Sequence, residues 1–342
     1  MVEKQCAKPL ADRQPARDAN ADVLRALSIL GVVAIHAGLP FTGPTRFCVP
    51  VFVCLFAFYF ERGLQVSDSG WRYVVRRLLG LGAPYLFWTA VYVFVFHEIS
   101  DWRTTPLRTI VGGWLGGYGW PGQYFFIIVF QLALVMPILH GVRRTAILQC
   151  LLIAAYGFDI CAEASFQHFD LVGRIGDRLF LYWLPYALLG VLLARGAATD
   201  RRWLLATPLL LLAPSEMEAL SRLGRAGSPY LLVSVMAGST ALFLGGAPAR
   251  RKTPACAEPQ ALRPLLRIGR DSLPIYVCNP LIIAAVSGGG RLVFAESHRL
   301  AVALAAVVLS VAGGLVVAAA ARAAGLGVLV GAPGGIEARR RA

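Results

Sequence analysis

The sequence predicts an all-α polytopic membrane protein, a bundle of about ten transmembrane helices with both termini cytoplasmic. Three observations carry that prediction. Of the 342 residues 57% are hydrophobic and only 15% charged, a balance foreign to a soluble domain. Apolar runs long enough to cross a hydrocarbon layer recur along almost the whole chain. The formal charge of +14 is distributed at the ends of these runs, which reads as positive-inside topology and not as one basic patch for nucleic acid.

Taken in order, residues 1–21 form a polar tail without the apolar core of a signal peptide, so the first helix is expected to direct insertion. The expected spans are 22–41, 47–64, 78–97, 122–140, 145–161, 178–195, 203–220, 229–247, 271–287 and 300–321. The seventh is interrupted by Pro208 and followed by Pro214, so a kink or tilt is expected there. Residues 22–321 then make one transmembrane domain. Residues 322–342 make a C-terminal tail whose apolar part, 323–332, is too short to span and is expected at the interface. Lys and Arg concentrate in the N-terminal tail, 62–77, 141–144, 195–202, 248–270 and the C-terminal tail, which places both termini in the cytoplasm. The seven cysteines show no metal-ligand spacing. Cys48 and Cys161 both fall near outer helix ends, where a pairing is conceivable.

The first helix concentrates the chemistry. At about 100° per residue, Arg25 and His36 lie within roughly 20° of one another and Asp22 within roughly 40°, so all three share one stripe. His36 sits about 16 Å further along the axis than Arg25, at a depth where ionisable groups by default mark a functional interior. A buried histidine bonded to a backbone carbonyl is the plain alternative. A neutral imidazole can also take the proton from an attacking hydroxyl. Asp22 is too far along the axis to orient His36 and is expected to meet Arg25, one turn away.

Four further stretches offer candidates, each with a structural alternative. Arg76 and Arg77 enter the third helix from the cytosolic side and read either as topology anchors or as a guanidinium clamp on phosphate. Residues 112–122, rich in glycine, carry Trp114, Tyr118 and Trp120, which read as an interfacial belt or as a stacking platform for a sugar ring. Gln123, Tyr124 and Gln131 open the fourth helix, and amides in a bilayer must face protein. Asp271, Ser272, Tyr276 and Asn279 form the polar stripe of the ninth, with Ser272 also suited to a helix cap. There is no G-x-S-x-G elbow, P-loop, dinucleotide fingerprint or H-E-x-x-H, so hydrolase, nucleotide-motor and metalloprotease readings lose their usual support.

These residues resemble the acyltransferase 3 family of integral membrane acyltransferases over roughly residues 20–320. The similar pieces are Asp22 and Arg25 followed by the run to His36, Val51–Phe58, Arg76-Arg77 ahead of Pro84-Tyr85, and Gln123 to Pro137. Residues 182–190 and Ser272 to Tyr276 also match. Two departures stand out. Gly80 occupies the place of a second arginine three positions after Arg77, and Asn279-Pro280 stands where relatives often have His-Pro.

The resemblance implies a bacterial inner-membrane enzyme that O-acetylates or otherwise acylates exported or cell-surface carbohydrate, with acetyl-CoA as co-substrate and no bound cofactor or metal. It implies that His36 and Arg25 matter most, with Arg77 next. Catalytic roles then fall to His36, Arg25 and Asp22, and CoA binding to Arg76 and Arg77. Contacts to a carbohydrate or lipid-linked acceptor fall to Trp114, Tyr118, Trp120, Gln123, Tyr124, Ser272, Tyr276 and Asn279. A transporter or flippase for polysaccharide intermediates is the rival reading, since buried charges can also line a translocation path. A relay subunit that hands its acyl group to an outer transferase is a third.

Overall fold

A computed structural model of the chain describes residues 18–40, 42–96, 108, 112–113, 116–117, 119–165, 178–196, 204–223, 228–246, 260–293 and 298–332. The described residues are all-α. In chain order the helices are α1 (Ala19–His36), α2 (Cys48–Gln65), α3 (Gly70–Phe96), α4 (Gln123–Gly141), α5 (Thr145–Ser165), α6 (Leu184–Ala194), α7 (Ala206–Leu211), α8 (Ala213–Arg222), α9 (Val233–Gly246), α10 (Arg263–Arg270), α11 (Ser272–Val293) and α12 (Arg299–Ala323). Six are long and apolar enough to cross a membrane, or seven if the pair α10–α11, bent by 70°, counts as one span. The protein is therefore an integral multi-pass membrane protein, with fewer full-length spans among the described residues than the ten read from the sequence.

The differences have physical causes. The run 203–220 does not form one helix: Pro214, without an N–H, sits in the first turn of α8, so the ladder restarts there. In α8, Glu216 accepts hydrogen bonds from the N–H groups of Val233 and Ser234 at 2.7 and 2.9 Å and so caps the start of α9. α1 stops at His36 and not at residue 41; Gly38 follows with φ 69°. α3 begins at Gly70, eight residues before its expected start, which takes Arg76 and Arg77 inside the helix. Cys48 is buried, Cys161 is exposed, and both are free thiols.

The core is built by close approach. α2 packs along α6, and at Gly190 an added Cβ would stand 2.9 Å from the Phe58 nitrogen, so only glycine permits the contact. Trp183 and Tyr186 of the same run are fully buried. Leu79, Leu86 and Phe94 on α3 and Val308 and Val316 on α12 stay exposed, as a lipid-facing surface requires. After α12 the chain turns back on the bundle. A 3₁₀ turn, Gly327–Val330, folds back against α3 and α11, burying Val330 and Ala332.

A buried ion pair ties three helices together at one end. Arg195, just past α6, donates Nε–H to Glu61 of α2 at 2.8 Å. Its terminal nitrogens donate to the carbonyls of Leu139, His140 and Val142 at the end of α4, where Leu139 also accepts from the Val142 N–H. Removing one partner from such a buried pair strands the other charge, at a cost of about 3–5 kcal/mol. Arg195→Ala is therefore expected to lower the thermal unfolding midpoint in detergent by several degrees. Arg222→Ala, which breaks the exposed Arg222–Glu218 pair, is expected to leave it within about 1 kcal/mol of wild type.

Candidate functional site

The stripe on α1 does not converge on a single cluster. Its Asp22 and Arg25 end belongs to one cavity and its His36 end to another.

At the first end, Asp22 is fully buried and accepts from Arg25 Nη1 at 2.9 Å and from Arg270 Nε at 3.2 Å. The expected Asp22–Arg25 contact is present, and the second arginine arrives from α10. Gly269 presses so closely on the Asp22 backbone carbonyl that no side chain fits between them. The Arg25 guanidinium lies 4.8 Å from the centre of the Tyr59 ring. Beyond it opens a cavity of about 830 Å³, within the range of small-molecule sites.

Aromatic and aliphatic side chains, among them Phe52, Phe56, Phe60 and Phe125, make the body of this cavity. Among the described residues four arginines line it, Arg25, Arg76, Arg77 and Arg322, and no carboxylate does. Asp22 holds Arg25, and Asp271 holds Arg322. Arg77 donates Nε–H to the Tyr73 hydroxyl at 2.9 Å, and Arg76 has no ion-pair partner among the described residues. Arg322 is thus paired with Asp271, Arg25 shares the single charge of Asp22 with Arg270, and Arg76 and Arg77 meet no carboxylate among the described residues. The returning C-terminal segment supplies Gly325, Gly327, Val328 and Gly331 to the same wall, and Ser272, the first residue of α11, lines it as well. Neither Arg322 nor this segment stood out in the sequence, where both read as tail.

At the second end, His36 closes α1 and its Nδ1 lies 2.7 Å from Asn279 Oδ1. The amide orientation is fixed by its other half: Asn279 Nδ2 donates to the Tyr276 carbonyl at 2.6 Å and to the Ile275 carbonyl at 3.4 Å. Oδ1 must therefore accept, so neutral His36 carries its proton on Nδ1 and its lone pair on Nε2. His36 lines a cavity of about 10 Å³ with Tyr124, Tyr230 and Tyr276, space for about one water molecule.

Tyr276 belongs to the walls of both cavities and stands between them. Its hydroxyl donates to the Gly122 carbonyl. Gly122 has φ 91°, and an added Cβ there would lie 2.7 Å from the Tyr276 oxygen and 3.4 Å from His36 Cε1. A glycine is the residue that allows the tyrosine and the histidine to meet at this turn.

The remaining sequence candidates separate into wall and scaffold. Tyr124 reaches the His36 cavity, its hydroxyl 3.1 Å from that of Tyr230. Trp120, read as a possible open platform, is buried. Its indole stacks on Tyr92 at 4.8 Å and donates to Thr89, so the face is already taken. Gln123 is also spent: Oε1 accepts from the Gly119 N–H, and Nε2 donates to Tyr85 and Thr89. Gln131 faces protein as expected, bonding to the backbone of Arg178 and Phe180. Trp114 and Tyr118 lie outside the described residues. Among the described residues no group of His, Cys, Asp and Glu is arranged to hold a metal ion.

A family model described as "Acyltransferase domain" matches residues 18–319. Neither a curated protein nor a solved structure matches the chain. The match covers most of the chain, from the start of α1 into the last turns of α12, and the protein belongs to this acyltransferase family.

Proposed function

We propose that this member of the family is a membrane-bound O-acyltransferase of the bacterial inner membrane. It would carry an acetyl or similar short acyl group from acyl-CoA to a sugar hydroxyl of an exopolysaccharide or lipid-linked surface glycan, with His36 as general base. The observation that carries the reading is the pair of cavities divided by Tyr276: a large, mostly apolar one with two arginines that meet no carboxylate among the described residues, and a small one lined by His36, whose ring is bonded to Asn279.

In this reading the arginine-rich end faces the cytosol, following the Lys and Arg distribution, and admits acyl-CoA. Arg76 and Arg77 hold its phosphates through charge-assisted hydrogen bonds, while the aromatic walls take the pantetheine arm. Arg25 and Arg322 are held by their own carboxylates and contribute shape and a positive field. Asp22 is then a scaffold for Arg25 and Arg270 and takes no part in proton transfer. For the thioester to reach His36, the Tyr276 ring must swing aside.

The reaction balances with one base. The acceptor hydroxyl gives its proton to His36 Nε2 as its oxygen attacks the thioester carbonyl. The C–O bond forms, the C–S bond breaks, and the proton leaves with the CoA sulfur. While the proton resides on the ring, the Nδ1–H···Oδ1 bond to Asn279 becomes charge-assisted and strengthens, which stabilises the imidazolium. Family membership favours this reading over a carrier for polysaccharide intermediates.

The test uses purified protein in detergent with acetyl-CoA and a competent acceptor. His36→Ala is expected to lower kcat by about 10²–10⁴-fold with unfolding unchanged. Near-normal transfer by that variant would remove the base assignment. Asn279→Leu is expected to cost about ten- to a hundredfold in kcat, the worth of a hydrogen bond to a charged group, and Asn279→Asp, which keeps the acceptor oxygen, to cost less.

The double change Arg76→Gln and Arg77→Gln is expected to raise KM for acetyl-CoA by about tenfold or more while kcat holds, because a phosphate far from the reacting carbon is bound equally in ground and transition states. The same variant is expected to use acetyl-pantetheine, which lacks the nucleotide phosphates, as well as wild type does. A KM increase of equal size for both donors would dissociate these arginines from the phosphates.

A further inference from the structure

A charged side chain next to the walls of the His36 cavity is left unused by the proposed reaction. Between α1 and α2 the chain makes a 3₁₀ turn, Gly43–Phe47, stiffened by Pro44 and packed on Pro214, where an added Cβ on Gly43 would stand 3.0 Å from the ring. The turn presents Arg46 half-buried beside Tyr230. Arg46 Nη1 donates to the Tyr230 hydroxyl across a long 3.4 Å, and the guanidinium lies 5.5 Å from the centre of that ring. Tyr230 then contacts Tyr124 at 3.1 Å, and both tyrosines share the small cavity with His36.

Like Arg62, Arg46 is half-buried with no carboxylate partner among the described residues; what distinguishes it is its place beside the tyrosines of the His36 cavity. The half-buried arginines Arg25, Arg195 and Arg322 each meet a carboxylate, whereas Arg62 lies over the Phe58 ring on α2. Arg46 meets none among the described residues and has only a phenol and a ring face. A guanidinium partly withdrawn from water without a counter-charge carries a desolvation cost that a phenol does not offset, and its five-donor fork keeps most of its hydrogens free. Its place is fixed by a rigid turn, as a preorganised recognition group requires.

We propose that Arg46, with the hydroxyls of Tyr230 and Tyr124, is an acceptor subsite for an anionic glycan. The guanidinium grips a carboxylate or phosphate oxygen of the acceptor, and this seats a neighbouring sugar hydroxyl in the one-water cavity beside His36 Nε2. The inference rests on the O-acyltransferase reading and narrows its acceptor to acidic glycans. The two sources of such an anion are a uronate carboxylate in the sugar chain and the diphosphate of a lipid-linked intermediate.

Binding is measured on full-length His36→Ala protein in detergent, so that no turnover interferes. The probes are a glucuronate-containing trisaccharide, its methyl ester, and a neutral disaccharide on a short polyprenyl diphosphate with the same polyprenol-linked disaccharide lacking phosphate as its control. At least one anionic probe is expected to bind about tenfold or more tightly than its neutral counterpart, which tells the carboxylate from the diphosphate source. Adding Arg46→Gln is expected to erase that preference and Arg46→Lys to weaken it, as loss of the fork predicts. Equal binding of charged and neutral probes, no binding of any, or a preference that survives Arg46→Gln in folded protein would overturn the subsite. The acyltransferase reading fails separately, on absence of acetyl transfer by His36-containing protein to any of these acceptors while the charge preference stands.

Discussion

Hydrocarbon supplies no hydrogen-bond partners, so a polar group carried into this bundle is costly unless it finds one inside the protein or meets something that arrives. Asp22 shows the first outcome. Buried on α1, it gathers Arg25 from its own helix and Arg270 from α10, and the close seat of Gly269 on its backbone carbonyl fixes the two helices together. Asp271 does the same for Arg322 across α11 and α12, and Glu61 for Arg195 across α2, α4 and α6. These pairs consume charge in order to position helices. The arginines outside such pairs gain meaning by subtraction: Arg76 and Arg77 at one cavity, Arg46 near the other.

The division into two cavities follows from the same constraint. A thioester beside an activated nucleophile is exposed to hydrolysis wherever water can follow, and an aromatic wall limits that access. Tyr276 stands in that wall with its hydroxyl engaged at the Gly122 carbonyl, so its open position must forfeit a hydrogen bond. In the proposed reaction that loss is repaid only when a ligand fills the space, which couples opening to occupancy. The two cavities differ in size as their proposed guests do: about 830 Å³ for a cofactor-sized donor, and about 10 Å³ for a single hydroxyl or water.

Helix arithmetic made the α1 stripe legible, because a fixed turn and rise relate Asp22, Arg25 and His36 without any knowledge of their neighbours. It also anticipated the Asp22–Arg25 contact, while the cost of a bare amide in a bilayer anticipated the inward-facing Gln131. What faces a stripe is another matter. Arg270 and Asn279 reach α1 from positions some 250 residues away, and no local pattern encodes that meeting. Trp120 reads as an aromatic belt or platform in isolation; its stacking on Tyr92 depends on how α3 and the loop before α4 are brought together. A lone arginine in a short connection, as Arg46 is, reads as ordinary loop chemistry, and its place beside Tyr230 at the edge of the His36 cavity depends on tertiary contacts that no local pattern encodes. The proline spacing in 203–220 did announce a break, though not that α8 would go on to cap α9.

Asn279 is where sequence and geometry inform each other most. The resemblance marked it as a departure from histidine, which removes a titratable group from the ninth-helix position and with it any second proton carrier there. The structure shows what remains, an acceptor oxygen that cannot turn away because its amide nitrogen is bound to the backbone of the same helix. A histidine facing His36 would share one proton between two rings and leave the tautomer of each dependent on the other. Asparagine removes that ambiguity: it has no charged form, so the lone pair on His36 Nε2 is set by geometry alone. The chain thus has, in place of a second histidine, an amide that fixes the orientation of His36, and in the proposed reaction the whole of proton transfer falls to that ring.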